Sequence, residues 1–352
     1  MDEYSPAVHC DLAARGQTVR LWLDDAAALR WMAPAGGPAG VEVLAWSASG
    51  KDVTVGNVVV ETFGCQLPAA FVARMAARTT PPRWINLEYL SAESYVERSH
   101  GLSSPQFSGP GAGLSKQFFY PGFTAKTGGL LRESGLFEAQ AQFNATGWLA
   151  GLGLQRRTGE RLVSVFAYPQ QSQAIRLDLL KQLAREPTLL LVCPGKVQDE
   201  MINAERLGLS LPSGLRWHAL PYLSQRDFDH LLWAADLNFV RGEDSFVRAQ
   251  WAGKPFVWQI YPQADGAHGP KLEAFMDLWL AQAEPSLARQ TRALWRAWNG
   301  LPNADAEAHH SGESLPDSAA AHALQWRTVL AAQPDLSTQL MRWVIGNPGK
   351  SS

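Results

Sequence analysis

"LNFVRGEDSFVRAQWAGKPFVWQIYP", residues 237–262, reads as strand, turn, helix, turn and strand in 26 residues. "LNFV" and "PFVWQI" are short apolar runs bounded by Gly and Pro, and "EDSFVRAQWAG" between them has the length of a crossover helix. Working outward toward the N-terminus, the same alternation continues. "RLVSVFAYP" (161–169), "TLLLVCPG" (188–195) and "LRWHALP" (215–221) read as strands. "QAIRLDLLKQLAREP" (173–187), "QDEMINAERLG" (198–208) and "SQRDFDHLLWAAD" (224–236) read as helices between them. Five strands separated by four helices predict a parallel, doubly wound sheet, because parallel neighbours need crossover connections. After Pro262 the pattern is helical to the end.

The first 150 residues are less regular. "TVRLWLDD" (18–25), "VEVLAW" (41–46), "VVVETFG" (58–64) and "RWINLEYL" (83–90) read as strands, with helices in "DAAALRWM" and "PAAFVARMAAR". A Gly, Ser and Pro rich loop is expected at 101–115, and a boundary between two α/β domains near 146–160. A doubly wound domain opens on a strand, yet "SPAVHCDLAARG" (5–16) already reads as a helix, with Ser5 as cap and Pro6 in its first turn. The expectation is therefore that the first strand of the N-terminal domain is missing.

Composition narrows the function classes. With 352 residues, 46% hydrophobic and 18% charged, the chain has the make-up of a folded protein of about two domains. A net charge of −2 supplies no basic field for a nucleic-acid backbone. Cys10, Cys65 and Cys193 match neither a disulfide framework nor a zinc spacing, which predicts a reducing, cytoplasmic location and no metal. No apolar run approaches the roughly 18 residues of a membrane span. His218, His230 and His268 have no metal spacing and no partnering serine motif. In "KQFFYPGFTAKTGGLLRE" (116–133), Ala125 stands where a phosphate loop requires glycine before Lys126, which argues against a nucleotide triphosphatase.

The candidate chemistry gathers at 241–245. Arg241-Gly242 forms the turn, and Glu243, Asp244 and Ser245 form the first turn of the next helix. Free backbone N–H groups and the positive end of the helix dipole favour acidic residues there, so simple capping is one reading. The other is ligand binding. Gly242 allows close approach to the backbone, and the carboxyl edge of an open α/β sheet is where ligands bind. Two carboxylates beside a diphosphate would hold ribose or sugar hydroxyls. Phe166 and Tyr168, at the end of the first strand of the second domain, are candidates to stack on a nucleobase, with core packing the alternative for Phe166. Gln225 at a helix start is either a base-reading amide or a cap. The fourteen tryptophans are expected mainly in cores.

Taken together, "LAARGQTVRLWLDD", "FFYPGFTAKTGGLLRE", "SVFAYP" and "RGEDSFVRAQWAGKPFVWQIYPQADGAH" resemble the bacterial protein-arginine rhamnosyltransferases that modify translation elongation factor P. The resemblance implies a GT-B glycosyltransferase architecture, two Rossmann-like domains facing a cleft. Residues 1–153 would form the acceptor domain, with a C-terminal helix at about 336–352 packing back onto it, and 154–335 the donor domain. It implies transfer of L-rhamnose from dTDP-β-L-rhamnose, with inversion and without a cofactor, to an arginine of elongation factor P, the protein partner. Phe166, Tyr168 and Gln225 would contact the thymine side of the donor. Glu243, Asp244 and Ser245 would contact ribose and diphosphate, Glu243 also supporting catalysis. The family's N-terminal loop, whose two aspartates orient or activate the acceptor arginine, has no match here: the second aspartate falls at about Met1 and the first before it. The expectation is a truncated chain with impaired transfer. The alternative is a non-catalytic module that binds a nucleotide sugar or elongation factor P.

Overall fold

Two compact units make up the chain, one of Met1–Ser134 with Leu330–Ser352 and the other of Gly135–Val329. The computed structural model describes residues 4–27, 29–32, 40–48, 53–169, 179–263, 265–302 and 318–346. Met1, Asp2 and Glu3 lie outside these residues, as does the first part of the helix expected at 173–187.

In the first unit, helix α1 (Tyr4–Ala14) leads into strand β1 (Val19–Leu23), which pairs in parallel with β2 (Val41–Ala45). A second sheet has the order β3-β4-β6-β5. Strands β3 (Val58–Thr62), β4 (Arg83–Leu87) and β6 (Ser115–Phe119) run parallel, and β5 (Ser103–Pro105) is antiparallel to β6. Helix α2 (Ala69–Ala76) places Phe71, Val72 and Met75 at helical spacing, and all three pack with Val59, Trp84 and Leu114. Among the described residues β1 and β3 do not pair. Cavities of about 440 and 400 Å³ are each lined by residues of both strands.

Two segments differ from the sequence reading. The expected loop at 101–115 contains β5, a three-residue edge strand too short and polar to register as one. "SKQFF", which opens the glycine-rich stretch, is strand β6: Lys116 looks like a surface residue but is paired with buried Glu61. The glycines that follow serve packing. A Cβ on Gly128 would overlap the buried ring of Phe119, and one on Gly122 would meet Thr127. The helix Leu336–Gly346 belongs to this unit. Arg15 donates to Asp11 and to Asp335 (2.8 Å), the Leu336 N–H donates to the Leu130 carbonyl, and Trp343 donates to Gln117.

The second unit holds a five-stranded, fully parallel sheet in the order β11-β10-β7-β8-β9. The strands are β7 (Arg161–Val165), β8 (Thr188–Val192), β9 (Leu215–Ala219), β10 (Leu237–Arg241) and β11 (Phe256–Gln259). Before, between and after them run α3 (Ala145–Gly151), α4 (Lys196–Arg206), α5 (Gln225–Ala234), α6 (Asp244–Ala252), α7 (His268–Trp279) and α8 (Pro285–Trp298). Every residue of β8 is buried, as expected of a central parallel strand covered on both faces. One core region gathers Leu149, Leu162, Leu189, Leu191 and Leu231. Elsewhere in the unit, Phe246, Phe256 and Phe275 pack with Trp258, Trp279 and Trp295. The short helix Leu136–Ala141 also belongs to this unit.

Among the described residues no helix is long and apolar enough to cross a membrane. Gly128→Ala is expected to destabilise the protein by about 1–3 kcal/mol through overpacking against Phe119, measured as a lower urea midpoint. Ala substitution at Gly151, whose Cβ would meet nothing within 4 Å, serves as the control.

Candidate functional site

The order β11-β10-β7-β8-β9 puts the first and fourth strands of the unit side by side, so its topological switch point lies between β7 and β10. At a switch point the connections leave toward opposite faces of the sheet, and a crevice opens beyond the carboxyl ends of the two strands. Phe166 and Tyr168 follow β7 there, and Arg241 ends β10, with Gly242 and Glu243 directly after it.

Arg241 joins the two strand ends. Its guanidinium carbon lies 4.2 Å from the centroid of the Phe166 ring and 4.7 Å from that of Tyr168. The two aromatics therefore contact a cation, and Phe166 also packs edge-on against Phe228. Gly242 adopts φ +65°, the left-handed region, and a Cβ there would stand 3.4 Å from the Tyr168 hydroxyl. The turn is held by β11: the Gly242 N–H donates to the Gln259 carbonyl, Trp258 Nε1 donates to the Gly242 carbonyl, and the Tyr168 N–H donates to Gln259 Oε1 at 2.7 Å.

Glu243 occupies the cap position of α6, half-buried and without a side-chain capping bond. Its carbonyl accepts from the Val247 N–H, so the backbone starts the helix. The Ser245 hydroxyl turns back onto Arg241, accepting from its N–H and donating to its carbonyl. Asp244 is 8% exposed and engaged by two donors on one oxygen, Gln225 Nε2 at 3.0 Å and Arg248 Nε at 3.1 Å. The cap of α5 is Ser224, whose side chain accepts from the Asp227 N–H, which leaves the Gln225 amide to reach Asp244.

All six residues singled out in the sequence thus fall at the carboxyl edge of this one sheet or at the starts of the helices beside it. Three further residues complete the arrangement. Arg248, 4% exposed, bonds Asp244 with Nε and both oxygens of Asp229 with Nη1. The Asp244/Arg248 spacing of four is readable on a helix, whereas Asp229 comes from a different helix and gives no local signal. Gln259 is a buried amide inside an apolar strand, a pattern that could have marked it. Among the described residues no group of three or more His, Cys, Asp or Glu could hold a metal ion. His230 is packed against Phe143, and burial lowers its pKa.

The arrangement offers a guanidinium, a helix start and a half-buried carboxylate within a few residues, which suits a phosphorylated, hydroxyl-bearing ligand. Replacing Arg248 by Ala would remove the guanidinium shared by two buried aspartates. A loss of about 3–5 kcal/mol is expected, read from urea denaturation, together with weaker ligand binding as Asp244 and Gln225 lose their fixed geometry.

Comparison with known proteins bears on what that ligand is. Residues 9–345 match the family described as elongation-factor P (EF-P) rhamnosyltransferase EarP. A protein-arginine rhamnosyltransferase of Pseudomonas aeruginosa is 41% identical over 94% of this chain and 91% of its own length, and one of Pseudomonas putida is 42% identical over the same shares. A solved structure described as the basis for EarP-mediated arginine glycosylation of translation elongation factor EF-P is 28% identical. It covers 94% of this chain and 99% of its own, with a TM-score of 0.59. The fold is accordingly the GT-B glycosyltransferase class. From a match that runs through both units, the chain belongs to the EarP family of elongation-factor P rhamnosyltransferases.

Proposed function

We propose that this chain transfers L-rhamnose from dTDP-β-L-rhamnose, with inversion, to an arginine side chain of translation elongation factor P. Rhamnosyl transfer to protein arginine is the activity by which its relatives are named. A nucleotide-sugar donor is supported by one observation: Arg241, Gly242 and Glu243 stand at the switch point with Phe166 and Tyr168.

In this reading the thymine lies by Phe166 and Tyr168, and Glu243 accepts from ribose or sugar hydroxyls. The diphosphate sits at the start of α6, near the Arg241 guanidinium. A guanidino nitrogen attacks the anomeric carbon from the face opposite the diphosphate; the carbon–oxygen bond breaks, dTDP leaves with the electron pair, and the nitrogen gives up one proton to solvent water. Negative charge grows on the leaving oxygen during this step. The α6 N–H groups and Arg241 are fixed before it occurs, so they stabilise that charge without reorganising. Ser245 and Asp244 act on the turn itself: each is engaged within the protein, one with the Arg241 backbone and the other with Arg248 and Gln225.

Elongation factor P incubated with the chain and dTDP-rhamnose is expected to gain one deoxyhexose on arginine by mass spectrometry. Binding of dTDP without that gain would leave a non-catalytic nucleotide-sugar module. Glu243→Gln is expected to weaken donor binding about ten- to a hundred-fold in isothermal titration, the worth of a hydrogen bond to a charged group. Unchanged donor affinity in that variant removes Glu243 from the site.

A further inference from the structure

The two turns that meet at the switch point are joined by a residue of the edge strand. The sheet order puts β10 between β11 and β7, so β11 lies two strand spacings, about 9–10 Å, from β7. Gln259 ends β11 in register with Arg241 of β10. It holds both neighbouring turns at once. Its backbone carbonyl accepts from the Gly242 N–H at 3.2 Å, and its side-chain Oε1 accepts from the Tyr168 N–H at 2.7 Å. The amide therefore spans the end of β10 to reach the turn that follows β7.

Regular sheet pairing does not make this link. The Phe166 N–H still donates to the Phe239 carbonyl of β10 at 2.9 Å, but one step further the Arg241 N–H and carbonyl are both engaged by the Ser245 hydroxyl. Gln259 is 6% exposed in the run "FVWQ", where an apolar side chain would satisfy the strand and a buried amide costs free energy unless it is bonded. Its own place is fixed from the other side. Asn299, just after α8, donates to the Trp258 carbonyl at 2.8 Å and accepts from the Ile260 N–H at 2.9 Å, gripping the backbone on either flank of Gln259. Trp258 Nε1 donates to the Gly242 carbonyl at 2.7 Å, and its ring stacks on Phe246 of α6 with centroids 3.8 Å apart and planes 7° apart. The end of β11 is thus tied to α6 and α8, and Gln259 carries that tie across to Tyr168.

We propose that Gln259 is a positioning residue that sets the span between the aromatic turn at Tyr168 and the helix-start turn at Gly242, so that one ligand can engage both. The inference rests on the proposed nucleotide-sugar donor, with its nucleobase by Phe166 and Tyr168 and its diphosphate at the start of α6. A ligand held at two points gains fully from the second only when the protein has fixed their separation before binding. Without the Gln259 bond each turn keeps its own binding groups, and a spanning ligand must itself order one turn against the other.

Gln259→Met keeps the length of the side chain and removes the acceptor. With the full chain, dTDP binding is measured by isothermal titration, thymidine binding by saturation-transfer NMR and inorganic pyrophosphate binding by phosphorus NMR. The variant is expected to bind dTDP about three- to ten-fold more weakly, the worth of one hydrogen bond, while thymidine and pyrophosphate each change by less than about two-fold. A loss of stability alone would lower the urea midpoint without separating dTDP from its two halves. Trp258→Phe keeps a ring on Phe246 but removes the donor to the Gly242 carbonyl; it should show the same pattern, and it carries the test should Gln259→Met fail to fold. Unchanged dTDP affinity in the folded variant, or equal weakening of dTDP and both fragments, would overturn the positioning role. Absence of dTDP binding to the unaltered chain would instead overturn the donor reading on which that role rests.

Discussion

The pairing of the Arg248 guanidinium with Asp244 and Asp229 is the interaction on which the candidate site of the second unit depends. The guanidinium is buried, and its attraction to Asp244 and Asp229 must offset the desolvation of three charged groups. What it secures is position: α6 is fixed to α5, and with it the turn that carries Gly242 and Glu243. Gln225, from the first turn of α5, meets the same carboxylate oxygen. The polar residues at this edge therefore form a set in which each member constrains the next. Arg241 with its two aromatic rings, the start of α6 and Glu243 stand beside that set at the same sheet edge.

The two units place polar side chains on their sheets by different means. In the second, buried strands bring aromatic rings and a cation to a switch point. In the first, polar side chains run along the sheet from Glu61 and Lys116 to Asn86 and Glu88. Lys116 neutralises the deep carboxylate, Glu61, and so allows polar side chains to line a covered face. One layer further out Asn86 orients Glu88 without charge.

The second unit was legible in the sequence because buried parallel strands are continuous apolar runs; "TLLLV" and "FVWQ" cannot be taken for surface segments. The first was legible only in part. β6 hides its strand character behind Lys116 and Gln117, and β5 has three residues on an edge. The location of Glu243, Asp244 and Ser245 followed from the strand, turn and helix pattern. The division of labour among them did not, since it depends on Asp229 and Gln225, which approach from another helix. Asn86 and Glu88 left a faint sign, polar residues two apart at the end of an apolar strand. The bond from the Gly64 N–H to Asn86 required the neighbouring strand β3, whose register no local pattern specifies.

The helix Leu336–Gly346 returns to the first unit after the whole of the second has been traversed. The second unit is one continuous stretch of chain, whereas the first is assembled from two pieces separated by nearly 200 positions. On a ribosome these pieces emerge far apart in time. At synthesis rates of about 5–20 residues per second, Arg15 waits on the order of tens of seconds for Asp335. The second unit can complete its sheet during that interval. The first is closed last, when Asp335 and Trp343 arrive to meet Arg15 and Gln117.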